Sequence, residues 1–177
     1  MDWSSTTWGF LALYWVWVIA GALDFACHRR TDLPHTSGVA ESSMHQVQLA
    51  LCGSATVLVL LFEPTAGLAA LLLCIVLAHA WAGYRDTRFA FDAGRTILPI
   101  EQHIHSVLDM APWIAWAIVA WHAASAPALE WPLSLRRPAA DAALWIAVLL
   151  PALALCVLPA LREFLDAWRA KAGASHA

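Results

Sequence analysis

Three acid–histidine pairs in the chain share one spacing: Asp24 with His28, Glu41 with His45, and Glu101 with His105. In a helix, a step of four puts both side chains on one face, one turn apart. His79 and Asp86 stand seven residues apart, two turns, and share a face in the same way. The chain has eight histidines and thirteen acids in 177 residues, so three pairs at a step of four are several times the chance number. One such pair at a helix end is ordinarily a solvated cap. Four together offer four imidazoles and four carboxylates, enough to hold two metal ions and leave positions open. Helical-bundle proteins with di-iron or di-manganese sites draw inward Glu and His from facing helices in a comparable way. A nitrogen and oxygen ligand set without thiolate suits iron, manganese or zinc. Asp109 falls one further turn along the Glu101–His105 face and is the candidate catalytic carboxylate, open to three roles: a base, a further ligand, or an acceptor for a histidine N–H. Gln48 lies near the Glu41–His45 face and can accept in the same way. His103 points away from Glu101, His35 falls in a loop, His122 at the far end of a helix and His176 in the tail, so none of these reads as a ligand.

The elements that must position these residues are membrane helices. Hydrophobic residues make up 61% of the chain and charged ones 13%, and the mean hydropathy is +0.64. A soluble domain is nearer half apolar and a quarter charged, and a disordered chain is more polar still. The net charge of −3 supplies no basic field for nucleic acid. Five apolar runs can be marked, and with their polar extensions they predict helices at about 8–28, 38–62, 66–88, 99–124 and 141–168. Pro99 suits the first turn of the fourth helix. The sequence thus predicts an all-α integral membrane bundle spanning 1–177 as a single transmembrane domain. Asp2 stands where a cleavable signal would carry a basic residue, so the first run reads as a retained helix. Cys27, Cys52, Cys74 and Cys156 are scattered, with no CxxC, and read as buried reduced thiols.

Basic residues set the expected orientation. Arg29, Arg30, Arg85, Arg88, Arg95, Arg162, Arg169 and Lys171 fall on one side of a five-helix arrangement, and Arg136 and Arg137 on the other. Eight against two places the first side in the cytoplasm, the N-terminus outside and the C-terminus inside, in a bacterial-type inner membrane. Asp24 and His28 then end the first helix at the cytoplasmic boundary, Glu41 and His45 begin the second there, His79 and Asp86 end the third, and Glu101 and His105 begin the fourth. Four helices each bring one acid and one imidazole to the same depth. Ionisable groups inside a membrane are costly and ordinarily face the bundle interior with a partner.

Over residues 24–109 the arrangement resembles the membrane-bound di-iron hydroxylases and desaturases. The resemblance is one of architecture and ligand type: the chain has no HxxxH or HxxHH box, its nearest short motif is Glu101-Gln102-His103-Ile104-His105, and it carries more carboxylate and less histidine than that class. The resemblance implies oxygen chemistry by two iron ions on an apolar, lipid-like substrate, with an external electron donor because no flavin or nicotinamide motif is present. Two other functions remain open on the residues alone. One is a zinc-dependent membrane hydrolase with Asp109 as base. The other is a haem- or metal-binding protein without catalysis, although haem would need no accompanying acids.

Overall fold

The computed structural model describes residues 3–174, with side chains from residue 9 onward; Met1, Asp2 and His176 lie outside the described residues. Apolar stretches in hydrocarbon must satisfy their own backbone, and the chain does so with helices. These are α1 (Trp3–Arg30), α2 (Gly38–Leu61), α3 (Ala66–Asp92), α4 (Pro99–Ala124), α5 (Ala142–Ala152) and α6 (Leu158–Ala174). A π-helical turn, Leu153–Val157, joins α5 to α6 in one continuous rod. Among the described residues, five stretches are long and apolar enough to cross a membrane: Gly9–Arg30, Gly38–Leu61, Ala66–Asp92, Pro99–Ala124 and Ala142–Ala174. The described residues form no strand beyond one isolated bridge between Phe62 and Leu135.

Local chemistry explains the helix ends. Thr65 Oγ1 accepts from the Leu68 N–H at 3.2 Å, and Asp141 Oδ1 from the Leu144 N–H at 2.7 Å, each serving as an N-cap. Pro99 opens α4, where its missing N–H costs nothing. α3 runs four residues beyond Arg88, and there Arg88 Nε donates to both carboxylate oxygens of Asp92 at 3.0 and 2.9 Å, tying the extra turn together.

α2 packs on α3, α3 on α4 and α4 on α1, and α6 closes the bundle against α2 and α1. The α1–α6 approach depends on small residues. A Cβ on Gly21 would lie 3.0 Å from Cys156 Sγ, so the bare glycine lets the π turn settle on α1. Cys156 Sγ donates there to Val18 O at 3.6 Å. Cys156, Ala160 and Ala167 are all buried, at helical steps of four and seven, and they mark the inner face of the last rod. Pro151 and the π turn just before this face shift the register of everything downstream, as π turns do when they re-aim a functional side chain. Cys27, Cys52 and Cys156 are buried and unbridged, whereas Cys74 is exposed on the outer face of α3, where the apolar run around it had suggested burial.

Candidate metal centre

The cluster is built at one end of the bundle. Asp24 and His28 come from the last turns of α1, Glu41 and His45 from the first turns of α2, Asp86 from the end of α3, and Glu101 and His105 from the start of α4. All seven are buried, and His28, Glu41 and Glu101 have no exposed surface at all. The stacked rings of His28 and His45 are 4.6 Å apart and within 6° of parallel. Ligand atoms of Asp24, His28, Glu101 and His105 lie within 4.8 Å of one another, and so do those of His28, Glu41 and His45. The two groups share His28 and form one continuous cluster that could hold a metal ion.

Two of the acids are already engaged, by a residue that the helix-by-helix reading counted only as a topology signal. Arg95, in the short α3–α4 connection, turns inward and is buried. Its Nε donates to Glu41 Oε2 at 2.9 Å, and one terminal nitrogen to Glu41 Oε1 and Glu101 Oε1, both at 2.6 Å. Its other terminal nitrogen donates to Thr31 Oγ1 at 2.9 Å. The remaining oxygen of Glu101 accepts from the Leu98 N–H at 3.2 Å. Burial opposes the Arg95 charge, but the carboxylates of Glu101 and Glu41 outweigh it and hold the guanidinium above its ordinary pKa.

What Arg95 leaves over is a set of five buried atoms with no hydrogen-bond partner: His28 Nε2, His45 Nε2, His105 Nε2, Asp24 Oδ1 and Asp86 Oδ1. They face one another. His105 Nε2 is 3.0 Å from Asp24 Oδ1, and His45 Nε2 is 3.0 Å from Asp86 Oδ1, close but without hydrogen-bond alignment. His28 Nε2 lies 3.4 Å from Asp24 Oδ2 and 3.6 Å from Glu101 Oε1. Buried polar atoms are ordinarily paired, and unpaired imidazole nitrogens beside carboxylate oxygens are the pattern of ligand atoms turned toward a cation; Asp86, which reaches the cluster only through His45, lies outside both groups of converging ligand atoms.

The opposite edges of two of these rings are fixed by Glu163, a residue the sequence reading passed over. Glu163 Oε2 is 2.9 Å from His28 Nδ1, and Glu163 Oε1 is 2.6 Å from His45 Nδ1. An ionised carboxylate only accepts, so each Nδ1 must be the donor. The neutral ring then carries its lone pair on Nε2, the atom that points into the cluster. Metal-binding histidines are commonly held by a carboxylate on the far nitrogen in this way. A signal for Glu163 does exist in the sequence: it follows Cys156 and Ala160 and precedes Ala167 at steps of four, three and four, so it shares their inner face. Phe25 lies edge-on to both rings, at 5.9 Å from His28 and 5.8 Å from His45, and covers them with apolar surface.

The other candidates fall around this centre. His79 is buried but belongs to neither group of converging ligand atoms. Two turns separate it from Asp86, about 10 Å along the α3 axis, which sets it deeper in the bundle. Asp109 is also outside both groups. Its residue surface is exposed, and its Oδ1 would be 3.0 Å from a Cβ on Gly83, so that glycine makes room for the carboxylate against α3. The amide nitrogen of Gln48 is buried and unpartnered. His103 is exposed, and His35 Nδ1 meets Asp32 Oδ1 at 2.7 Å on the surface. His122 is far from the cluster, at the opposite end of α4. The arrangement can therefore hold a metal ion with buried His, Asp and Glu groups of α1, α2 and α4, and this conclusion stands on geometry alone, since no protein-family model, characterised protein or solved structure matches the chain.

Proposed function

We propose that the chain is a membrane-embedded di-metal oxidoreductase, with iron as the working metal, acting on an apolar, lipid-like substrate near the cytoplasmic face. The observation that carries the reading is the pair of converging groups, Asp24–His28–Glu101–His105 and His28–Glu41–His45, with the Nε2 atoms of all three histidines buried without a hydrogen bond and Glu163 behind two of the rings. Charge supports a count of two. Asp24, Glu41, Asp86, Glu101 and Glu163 bring five negative charges and Arg95 returns one positive. Two divalent cations balance the remaining four with the imidazoles neutral. Like charges left this close and this buried would otherwise be strongly repulsive.

His28, His45, His105, Asp24 and Asp86 would hold the ions, drawing on Glu41 and Glu101 where Arg95 shares them. Two iron ions bound there would supply the redox electrons and Lewis acidity for dioxygen activation, which protein side chains lack. The protein's part is to hold the rings in the ligating tautomer through Glu163, to keep Glu41 and Glu101 compact through Arg95, and to exclude water with Phe25. Asp109, one turn beyond His105 on α4, would be the carboxylate that moves a proton. The test is oxygen uptake by iron-loaded protein supplied with a chemical reductant and a long-chain hydrocarbon substrate. The reading predicts uptake that depends on both and is lost in His45→Ala. Zinc-supported hydrolysis of an ester with no oxygen uptake would overturn it in favour of a hydrolase.

The orientation belongs to the same proposal. Arg95 is buried in the cluster, so seven of the eight basic residues on that side remain as topology signals, against Arg136 and Arg137. This supports a cytoplasmic cluster with the N-terminus outside. A reporter fused after Ala174 is expected to score cytoplasmic, and one inserted after Pro127 external. The opposite pattern would put the cluster on the far side of the membrane.

A further inference from the structure

At the end of the bundle away from the cluster, the chain between α4 and α5 runs as an extended strap over the α2–α3 turn. Main-chain hydrogen bonds of 2.8 Å pin it there: the Ala66 N–H donates to Glu130 O, the Glu63 N–H to Ser134 O, and the Arg136 N–H to Leu61 O. The last two flank the bridge between Phe62 and Leu135. A terminal nitrogen of Arg136 also donates to Val59 O at 2.9 Å, and the Arg137 N–H to Glu63 Oε1 at 3.0 Å. A Cβ on Gly67 would collide with Trp131 O, so the bare glycine in the first turn of α3 lets the strap lie directly on the helix.

These bonds matter for where the strap can sit. α2 ends at Leu61, and the last carbonyls of a helix have no partner within it. The strap supplies donors to two of them, Val59 O and Leu61 O. Non-helical backbone paired in this way tolerates a water-poor setting, where unpaired groups would be costly.

The side chains point to that setting. Leu129, Trp131, Leu133 and Leu135 alternate in sequence, and each leaves 47–63% of its surface exposed. Alternate residues of extended backbone share a face. A row of large apolar side chains held in place and left uncovered marks an interaction surface. Its depth says with what. Ala66, where the strap is pinned, precedes Arg85 on α3 by nineteen residues. That is roughly 28 Å along the helix, against a hydrocarbon core of ~30 Å. Arg85 lies over the rings of Trp81 and Phe89, an arrangement suited to the boundary at the cluster end. The strap then falls at the opposite boundary. Leu61 at the end of α2 and Trp121 in the last turn of α4 are exposed as well, so the apolar outer surface of the spans continues into the row.

We propose that the strap, residues 129–135, is an interfacial anchor lying in the bilayer boundary opposite the metal centre, with Leu129, Trp131, Leu133 and Leu135 set among the upper acyl chains of phospholipid. The inference rests on the helices spanning a membrane and not on the metal centre.

The experiment uses the full chain, metal-free, in phosphatidylcholine nanodiscs. The exposed Cys74 is removed by Cys74→Ala, and Trp131→Cys, Leu133→Cys and Glu130→Cys are each labelled with a fluorophore. A nitroxide high on the lipid acyl chain should quench the labels at 131 and 133 roughly threefold or more strongly than the label at the charged position 130, and aqueous iodide should give the reverse order. The unsubstituted chain supplies a second reading. Phosphatidylcholine carrying a photoactivatable group high on its acyl chain should form adducts within 129–135 as well as on the outer faces of the helices. Iodide reaching 131 and 133 as readily as 130, or adducts confined to the helices, would overturn the anchor. Labels shielded from both quenchers would overturn it too, in favour of a second copy of the chain covering the row.

Discussion

Arg95→Ala is expected to lower the stability of the metal-free protein by about 3–5 kcal/mol, a range typical of breaking a buried ion pair by removing one partner. The cause is specific. Glu41 and Glu101 have no exposed surface, and their contacts to Arg95 are charge-assisted bonds of 2.6 and 2.9 Å. Without the guanidinium both carboxylates remain buried beside Asp24 and Asp86 with nothing to balance them. For a chain of this length the loss corresponds to a fall in Tm of roughly 6–20 °C. Arg95→Lys should restore only part of it, because a point charge cannot engage both oxygens of Glu41 and still reach Glu101. The loss should shrink when metal is present, since cations in the cluster would neutralise the same carboxylates. Thermal unfolding in detergent, with and without divalent metal, measures both effects. An Arg95→Ala protein as stable as wild type under chelation would show that the network does not hold the bundle end together.

Glu163→Ala is expected to weaken metal binding about 10–100-fold with little change in the fold, the range seen when the carboxylate behind a ligating histidine is removed. Glu163 acts on two rings at once, through Nδ1 of His28 and of His45, so its loss frees two ligands to change tautomer and orientation. Glu163→Gln should not rescue fully. An amide offers one acceptor oxygen, and its NH₂ group would face the second Nδ1 donor. Competition with a metal-chelating dye reads the affinity directly. Unchanged affinity in both variants would mean that Glu163 does not orient the ligand rings.

The all-helical architecture and its five apolar stretches were legible because span length and composition carry that information locally. The acid–histidine pairs were legible for the same reason: a step of four within one helix needs no knowledge of the neighbouring helices. Arg95 was not, because nothing in the α3–α4 connection tells a residue that turns inward from one that faces a membrane surface. It reads as a topology signal until the fold brings it 2.6 Å from Glu41, fifty-four positions earlier in the chain. Glu163 was obscured by its setting among Arg162, Asp166 and Arg169, an ordinary solvated run, while its helical step from Cys156 and Ala160 was the overlooked clue. His79 shows the converse. An apolar neighbourhood marks a histidine as significant, but periodicity fixes only the face and not the depth at which a partner waits.

On the proposed reading, this buried cluster would hold two divalent metals through His28, His45 and His105. Metal content per chain, measured on purified protein after loading with Fe(II) and removal of free ions, tests it most directly, with the absorption spectrum recorded in reduced and oxidised forms. Two ions per chain are expected in wild type and in His122→Ala, with a large loss in each of His28→Ala, His45→Ala and His105→Ala, and a spectrum that changes on oxidation. One ion or none per chain, or equal metal in all five proteins, would contradict it.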